Sequence, residues 1–465
     1  MPTAEHSALI DLDRALPSGA VVTDPDVCAA YARDESEAEP RLPDAVVRAR
    51  STEDVVAVMR VATRHRVPVT PRAAGTGRSG GAVPTEGGWV LAFERFDAID
   101  EVSTRDAVAV VRPGAVLGDV HAAVEAEGLF YPPDPNSWAS CTIGGNVAEN
   151  AGGPRAFKYG VTRDWVLGLE VVLADGRVLN VGRRTTKGVT GYDLTALVVG
   201  SEGTLALVTR ATLGLMPRPE VVRTLAVHLE DEAAMADAVS ACLRARVTPR
   251  CVEVMDSITL GLLREAGVPV PAGSRAMLIV EVDGETDAAD RDLERVGNAL
   301  LDEGTLEVLV AKHEGDREQL WSARREMSRS LRTLAVNKLS EDVVVPRSAL
   351  AALLGRCRAI SERRGVRMPA YGHAGDGNLH VNFLWDTPDE KPSVDLAIRD
   401  LFEATVQLGG TLSGEHGIGA LKAPYLALEQ SSDLIAVQRS IKATLDPLSI
   451  LNPGKIFPRA GHGGC

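Results

Sequence analysis

Three of the nine histidines in this 465-residue chain sit inside two short glycine-rich stretches. The first is His373-Ala-Gly-Asp-Gly-Asn-Leu-His380, with Asn382 close behind; the second is Ser413-Gly-Glu-His-Gly-Ile-Gly419. Two imidazoles and a carboxylate, His373, His380 and Glu415, form a three-donor set that leaves metal positions open for a substrate. The set suits zinc first, and also manganese or iron; spacing alone does not choose. Such a set serves to activate a hydroxyl. An alcohol is a poor acid at neutral pH, a cation on its oxygen lowers that pKa, and a neutral histidine can then take the proton.

These side chains need elements to aim them. Residues 380 to 384 read as a strand, which puts His380 and Asn382 on one face. The glycine turn ahead of it can fold His373 back toward His380. Glu415 and His416 lie among glycines, where backbone can approach a ligand closely. Helix and strand alternate through the surrounding block. Val222 to Leu229, Ala276 to Val282 and Leu306 to Lys312 read as strands, and Asp231 to Arg244 and Asp287 to Glu303 as helices. That pattern predicts a compact sheet with helices on one face, of ferredoxin-like kind. From Asp395 onward the chain reads as mostly helical, broken over Gly409 to Gly419.

The first half reads as an α+β domain. Val108 to Arg112, Leu169 to Leu173 and Gly203 to Thr209 are predicted strands. Thr52 to His65 and Leu117 to Glu127 are predicted helices, the first opened by a capping box at Ser51-Thr-Glu-Asp54. Gly75, Gly77 and Gly80 satisfy G-x-G-x-x-G. A Rossmann fingerprint needs a helix opening at its third glycine, and here Gly81, Pro84, Gly87 and Gly88 follow instead. The loop can still cradle phosphate through successive backbone N–H groups. A second segment runs Thr142-Ile-Gly-Gly-Asn-Val-Ala-Glu-Asn-Ala-Gly-Gly-Pro154, after Pro132-Pro-Asp-Pro135, and a third is Gly200-Ser-Glu-Gly-Thr-Leu205. Three backbone-exposing stretches in one domain point to a long, flat ligand held against main chain.

Together, Pro71-Arg-Ala-Ala-Gly-Thr-Gly-Arg-Ser-Gly-Gly81, Cys141-Thr-Ile-Gly-Gly-Asn146, Glu149-Asn-Ala-Gly-Gly-Pro154 and Gly200-Ser-Glu-Gly-Thr204 resemble the FAD-binding domain, of PCMH type, of the vanillyl-alcohol-oxidase superfamily. The resemblance runs over nearly the whole chain and is closest to the branch of glycolate oxidase, D-lactate dehydrogenase and D-2-hydroxyglutarate dehydrogenase. It implies that Pro71, Arg72, Ala73, Gly75, Thr76, Gly77, Arg78, Ser79 and Gly80 wrap the FAD pyrophosphate. Pro135, Thr142, Gly144, Gly145, Asn146, Asn150, Gly152, Gly153, Tyr159, Gly160, Glu202 and Gly203 would contact the rest of the cofactor, with Asn452 near its ring. Some relatives attach FAD through a histidine in the first loop; Arg78 stands there, so non-covalent FAD is expected.

The same resemblance makes His373, His380 and Glu415 metal ligands, His416 the catalytic base, and Asn382 a substrate or supporting contact. It puts Arg324 and Lys338 at substrate-anion positions, with Ser328, one turn after Arg324, a weaker candidate. Arg would grip a carboxylate by two N–H groups and Lys as a point charge. The implied reaction oxidises a D-2-hydroxy acid to the 2-oxo acid. Hydride passes to flavin N5 and electrons go on to an outside acceptor: an electron-transfer flavoprotein, a quinone, a cytochrome or an iron–sulfur protein.

Composition bounds these readings. The net charge of −14 argues against a nucleic-acid partner, which needs clustered Lys and Arg. The six cysteines are scattered, without the clustering of an iron–sulfur centre. No stretch reaches the length of a membrane span, and the first 20 residues carry charges unlike a secretion signal, so a cytoplasmic protein is expected. The expected organisation is an FAD domain over 1–217 (core about 40–217), a cap over 218–425 and a C-terminal segment over 426–465 that returns to the FAD domain. A homodimer is compatible with the sequence. Two rival readings are a metal-free flavin oxidase of a sugar or alditol and a non-catalytic FAD-binding subunit of a glycolate oxidase.

Overall fold

The computed structural model describes residues 4–265, 267, 270–301 and 304–457, without the side chains at 4, 5, 236, 322, 323, 325–330 and 332. The chain forms two compact units: one from the residues up to Gly152, Gly160–Arg218 and the residues from Glu415 on, the other from Gly153–Tyr159 and Pro219–Gly414. The second unit, by compactness, runs to Gly414 and takes in a seven-residue excursion ahead of Gly160.

The first unit holds two main sheets. Val21–Val22, Ala45–Arg48, Trp89–Ala92 and Val69–Arg72 form one in that order, its last three strands parallel. Ile99–Ser103, Val108–Val111, Leu207–Gly214, Val166–Val172 and Val178–Gly182 form the other, antiparallel throughout. Helix Thr52–His65 buries Val55, Val58, Met59 and Ala62 against the first sheet, the spacing of an amphipathic helix. Ser51 Oγ accepts from Asp54 N at 3.2 Å, but the Asp54 carboxylate reaches Arg50 N at 2.9 Å, one residue further than a capping box would take it. The strand predicted from Gly203 begins only at Leu207. Gly200, Glu202 and Gly203 have φ of 81°, 51° and 65°, left-handed values that make a tight turn and no pleat. The chain end returns to this unit, with Val69 N donating to Ile450 O and Asn452 N to Val69 O, both at 2.8 Å.

The second unit is built on a seven-stranded antiparallel sheet. Its order is Thr305–Val310, Val221–Leu229, Ala276–Gly284, Cys251–Met255, Ala370–His373, Asn378–Trp385, Asn337–Val344. The first four strands, with helices Ala233–Arg244 and Thr286–Leu300, follow a β-α-β-β-α-β path in spatial order 4-1-3-2, the ferredoxin-like arrangement. Three further strands extend that sheet and carry the histidines. Helix Glu314–Thr333 begins two turns before Trp321, capped by His313, whose Nδ1 accepts from Asp316 N at 3.3 Å. Its Trp321 and Leu331 pack on Cys251, Met255, Ile279, Tyr371 and Leu384 from one face of the sheet.

Directly opposed residues of an antiparallel pair share a face. The pairings Glu253–His373, Met255–Tyr371, Tyr371–His380, His373–Asn378, Asp342–His380, Ser340–Asn382 and Lys338–Leu384 therefore put all these residues on one side. It is the side that helix Glu314–Thr333 covers. Polar groups so enclosed must pair or meet a ligand.

Candidate active site

His373 ends one strand, and the Ala374–Gly377 turn reverses the chain into the next. Gly377 has φ 85°, and a Cβ there would run into Val345 O, so only glycine closes this turn. The turn brings the two buried imidazoles edge to face, with Nε2 atoms 3.4 Å apart. Two nitrogens bound to one metal at ~2.05 Å and a tetrahedral angle lie about 3.3 Å apart. Glu415 follows Gly414 directly in the chain, and the ligand atoms of His373, His380 and Glu415 all lie within 4.8 Å of one another. This is the one such grouping among the described residues.

Two buried carboxylates stand behind these donors. Glu253 accepts from His373 Nδ1 and, at 2.8 Å, from Arg324 Nε. Burial pushes its pKa up, but His373 and Arg324, which face the carboxylate and donate to it, outweigh burial and hold it below its ordinary range. With Nδ1–H donated to Glu253, His373 turns its Nε2 lone pair toward His380, the tautomer in which an imidazole can ligate a metal. Asp342 accepts from Asn378 Nδ2 (2.5 Å), Ser413 Oγ (2.9 Å) and Gly414 N (3.0 Å). It ties the turn between the two histidines to the loop that leads into Glu415. Neither residue was picked out from sequence, yet Glu253 left a signal: an acidic residue inside an otherwise buried strand must have partners.

The predicted anion-binding residues fall differently. Arg324 is buried and lies over the Tyr371 ring at 4.6 Å. Its Nε is committed to Glu253, a pairing that the sequence reading did not include. Lys338 is half-buried on the sheet face that also carries Asp342. Asn382 is fully buried; its Nδ2 donates to Pro369 O and His380 O, and its Oδ1 has no protein donor among the described residues. The side chain of Ser328 lies outside the described residues. His416 is half-buried on the loop that carries Glu415. Further along that loop, Glu202 accepts from Ile418 N and Gly419 N at 2.8 and 2.7 Å, and Ser79 O accepts from Ala420 N at 2.9 Å.

In the first unit the three glycine segments meet. A Cβ at Gly203 would lie 2.5 Å from Pro71 Cγ, and one at Gly145 would lie 3.5 Å from Ala73. Gly75 and Gly80 have φ of 75° and 77°, and no helix follows Gly80. A side chain at Gly144 would strike Pro113. Ser79 Oγ, Thr142 Oγ1, Asn146 Nδ2 and Asn452 Oδ1 are buried without a protein partner among the described residues. Orphaned donors and acceptors along a side-chain-free backbone fit a ligand rich in phosphate and ring heteroatoms, as FAD is.

Several residues assigned to the cofactor also have partners within the protein. Arg72 donates to Arg33 O at 2.6 Å and fills the space beside Gly75. Arg78 pairs with Glu35 at 3.3 Å, and Gly77 O accepts from Glu35 N. Pro135 O accepts from Trp138 N in a turn. Asn150 ends helix Ile143–Glu149 in the left-handed region and accepts from Arg163 N. Gly152 leaves room for Glu415, whose Oε2 would lie 3.0 Å from a Cβ there. Gly153, at φ 137°, opens the excursion into the second unit, and Tyr159 closes it with its hydroxyl on Asp283. Gly160 gives way to Asp164. Glu202 holds the Ile418–Gly419 backbone, and Asn452 Nδ2 joins Gly81 O to Glu202 O. No geometry singles out Thr76.

Beside Glu202 lies a second carboxyl, Glu149, drawn in against the backbone of Gly417. Burial, then the charges of Glu202 and Asp34, push Glu149 well above the carboxylate range. Glu202 is raised by burial too, but two backbone N–H groups favour its charged form, so of the pair Glu149 holds the proton.

Comparison with known proteins places this geometry in context. Residues 43–182 match the model of an FAD binding domain, and residues 218–456 match that of the C-terminal domain of FAD linked oxidases. The chain is 41% identical over 432 residues to the glycolate oxidase subunit GlcD of Bacillus subtilis (strain 168), covering 92% of each. It is 36% identical to a D-lactate dehydrogenase of Archaeoglobus fulgidus over 88% of this chain and 90% of that one. It is 34% identical to a D-2-hydroxyglutarate dehydrogenase of Xanthomonas citri pv. viticola over 97% and 96%. Among solved structures, p-cresol methylhydroxylase with substrate bound superposes with a TM-score of 0.84 over 98% of both chains at 19% identity, a likeness of fold.

Proposed function

The chain belongs to the FAD-linked oxidase family, and from that premise we propose that it oxidises a D-2-hydroxy acid to the 2-oxo acid at a metal-assisted site. As a member of the branch that holds glycolate oxidase and the D-lactate and D-2-hydroxyglutarate dehydrogenases, it is an FAD-linked oxidoreductase. The observation that carries the finer reading is the convergence of His373, His380 and Glu415, with the His373 tautomer set by Glu253.

When bound, FAD supplies the two-electron acceptor and a divalent cation supplies the charge that makes an alcohol proton easier to remove. His373, His380 and Glu415 would hold the cation. His416 takes the proton of the C2 hydroxyl, as a base whose ordinary pKa lies near neutrality. Arg324 turns its remaining N–H groups and Lys338 its ammonium to the substrate carboxylate, while Asn382 offers the substrate its open Oδ1. The buried strands around the histidines exclude water, which strengthens each of these contacts.

FAD is non-covalent in this reading, because Arg78 has no chemistry for a flavin bond. Electrons pass to an external acceptor; the five described cysteines are buried and none is in a disulfide. No helix among the described residues is long and apolar enough to cross a membrane, which is compatible with a cytoplasmic enzyme.

The test is anaerobic flavin bleaching with D- and L-2-hydroxy acids, before and after chelation. The proposal expects bleaching by a D-acid, its loss with chelator and its return with added metal. Bleaching that persists after all metal is stripped would overturn metal assistance, and bleaching by an alditol alone would overturn the substrate class.

A further inference from the structure

We propose that Glu253 is a positioning residue shared by the metal site and the substrate clamp: one buried carboxylate orients both the His373 imidazole and the Arg324 guanidinium. The inference rests on the proposed function and names a residue that the family resemblance did not supply.

Glu253 lies on Cys251–Met255, directly across from His373 in the sheet register, and is 0% exposed. Its two oxygens serve different partners, Oε1 the His373 Nδ1 and Oε2 the Arg324 Nε at 2.8 Å. A buried carboxylate left with one partner is costly, and an arginine kept only to neutralise it would pair through both arms of its fork. Here the fork does not face the carboxylate. Arg324 engages through Nε alone among the described residues, its plane lies on Tyr371, and Tyr371 in turn lies 5.9 Å from His380, centroid to centroid. The two terminal nitrogens are left for another anion, and the group is 4% exposed, so that anion must come to a nearly closed place.

The neighbouring pairing has a separate anchor. On the same sheet face Glu281 accepts from Arg317 Nε (2.7 Å) and Trp321 Nε1 (2.6 Å) of the same helix. Arg317, Trp321 and Arg324 fall at helical spacing, so the helix is already docked through Glu281 and the apolar contacts of Trp321 and Leu331. Glu253 is not needed to hold the helix in place. Its remaining work is to set the His373 tautomer and to aim Arg324.

Glu253→Gln separates these duties from bulk, because one amide cannot accept from both donors. If its oxygen keeps His373, its NH₂ opposes Arg324 Nε; if it keeps Arg324, its NH₂ donates to His373 Nδ1 and leaves the proton on Nε2. Either way a client is lost. The measurement is Zn²⁺ affinity of the FAD-loaded, chelator-stripped protein against a chromogenic chelator, beside KM and kcat for the D-acid that bleaches the wild type. Glu253→Gln should retain FAD and show a 10–100-fold weaker Zn²⁺ affinity, a 10-fold or higher KM, or both. Glu253→Asp, which keeps both acceptors on a shorter stem, should recover part of either loss, and it serves as the test should the Gln variant not fold. Variants that fold, hold FAD and match wild type in both Zn²⁺ affinity and KM overturn the positioning role alone. A wild type that takes up no Zn²⁺, Mn²⁺ or Fe²⁺ overturns the metal-assisted function and this inference with it.

Discussion

Replacing Asp342 by Ala tests how far the geometry around Glu415 depends on one acceptor. Asp342 is 0% exposed and accepts at least three hydrogen bonds, from Asn378 Nδ2, Ser413 Oγ and Gly414 N. A hydrogen bond to a charged acceptor contributes about 1.5 kcal/mol at the low end, so three give roughly 4–5 kcal/mol. Part is recovered in the variant, since Asn378 Nδ2 keeps Val343 O at 3.3 Å and the exposed Gly414 N–H can turn to water. The net loss should be about 3 kcal/mol. For a unit of this size that lowers the melting temperature of the second unit by about 6–12 °C. Asp342→Asn should cost less, about 1 kcal/mol, because the unpartnered Asn378 Oδ1 can swing round to meet the new amide. In both variants the loop into Glu415 loses a tether, so metal affinity should fall 10–100-fold in Ala and less in Asn. Calorimetry of metal-free and metal-loaded protein reads both quantities. An Ala variant that melts within 1 °C or so of wild type and binds metal as tightly would show that the Ser413–Gly414 turn is held by something else.

Other substitutions divide the site by function. His416→Gln should lower turnover by about 10²–10⁴ while FAD content and metal stoichiometry stay at wild-type levels; loss of either bound group would argue for a structural role. His380→Ala should abolish stoichiometric metal uptake with FAD retained, read by elemental analysis beside the flavin spectrum. Gly203→Ala forces a side chain onto Pro71 at φ 65° and should cost about 1–3 kcal/mol with reduced FAD content, read by fluorescence of released flavin. Glu149→Gln should stabilise the protein by about 1 kcal/mol or more at neutral pH. The folded state binds a proton at Glu149 that the unfolded chain releases above its ordinary pKa, so wild-type stability is lost as pH rises from there through the raised folded value. The glutamine variant lacks that loss, and parallel pH–stability curves for the two proteins would refute the assignment of the proton to Glu149.

The fold was legible where one physical signal dominated. Thr52–His65 carries its apolar stripe, its acidic first turn and Ser51 together, and its bounds came out as read. The strands Val221–Leu229 and Ala276–Gly284 carry continuous apolar runs, and they fall in the centre of a ferredoxin-like sheet. Where two signals compete, local sequence misleads. Gly203-Thr-Leu-Ala-Leu looks like the start of a strand, but the left-handed backbone at Glu202 and Gly203 delays the pleat until Leu207. Non-glycine residues at positive φ, such as Glu202 and Asn452, have no sequence signature of their own, because tertiary hydrogen bonds hold them there.

The site divides along the same line. His373, His380 and Glu415 stood out because glycines surround them, and glycine is needed where backbone turns back on itself, as at Gly377. A ligand's immediate surroundings therefore write themselves into local sequence. The groups that orient those ligands do not. Glu253 is 120 residues from His373, and Asp342 is 71 from Ser413; each meets its partner only through the register of a sheet whose order no short window contains. What marks Glu253 is a violation: Cys251-Val-Glu-Val-Met255 puts charge into a strand that otherwise reads as interior. A buried strand tolerates a carboxylate only when donors converge on it, so an acidic residue in such a strand already says that a partner exists, and the strand pairing then says which one. Arg324 follows the same logic from the other side. Its sequence context allows a surface arginine, and the Glu253 oxygen not taken by His373 is one partner the helix turns it inward to meet.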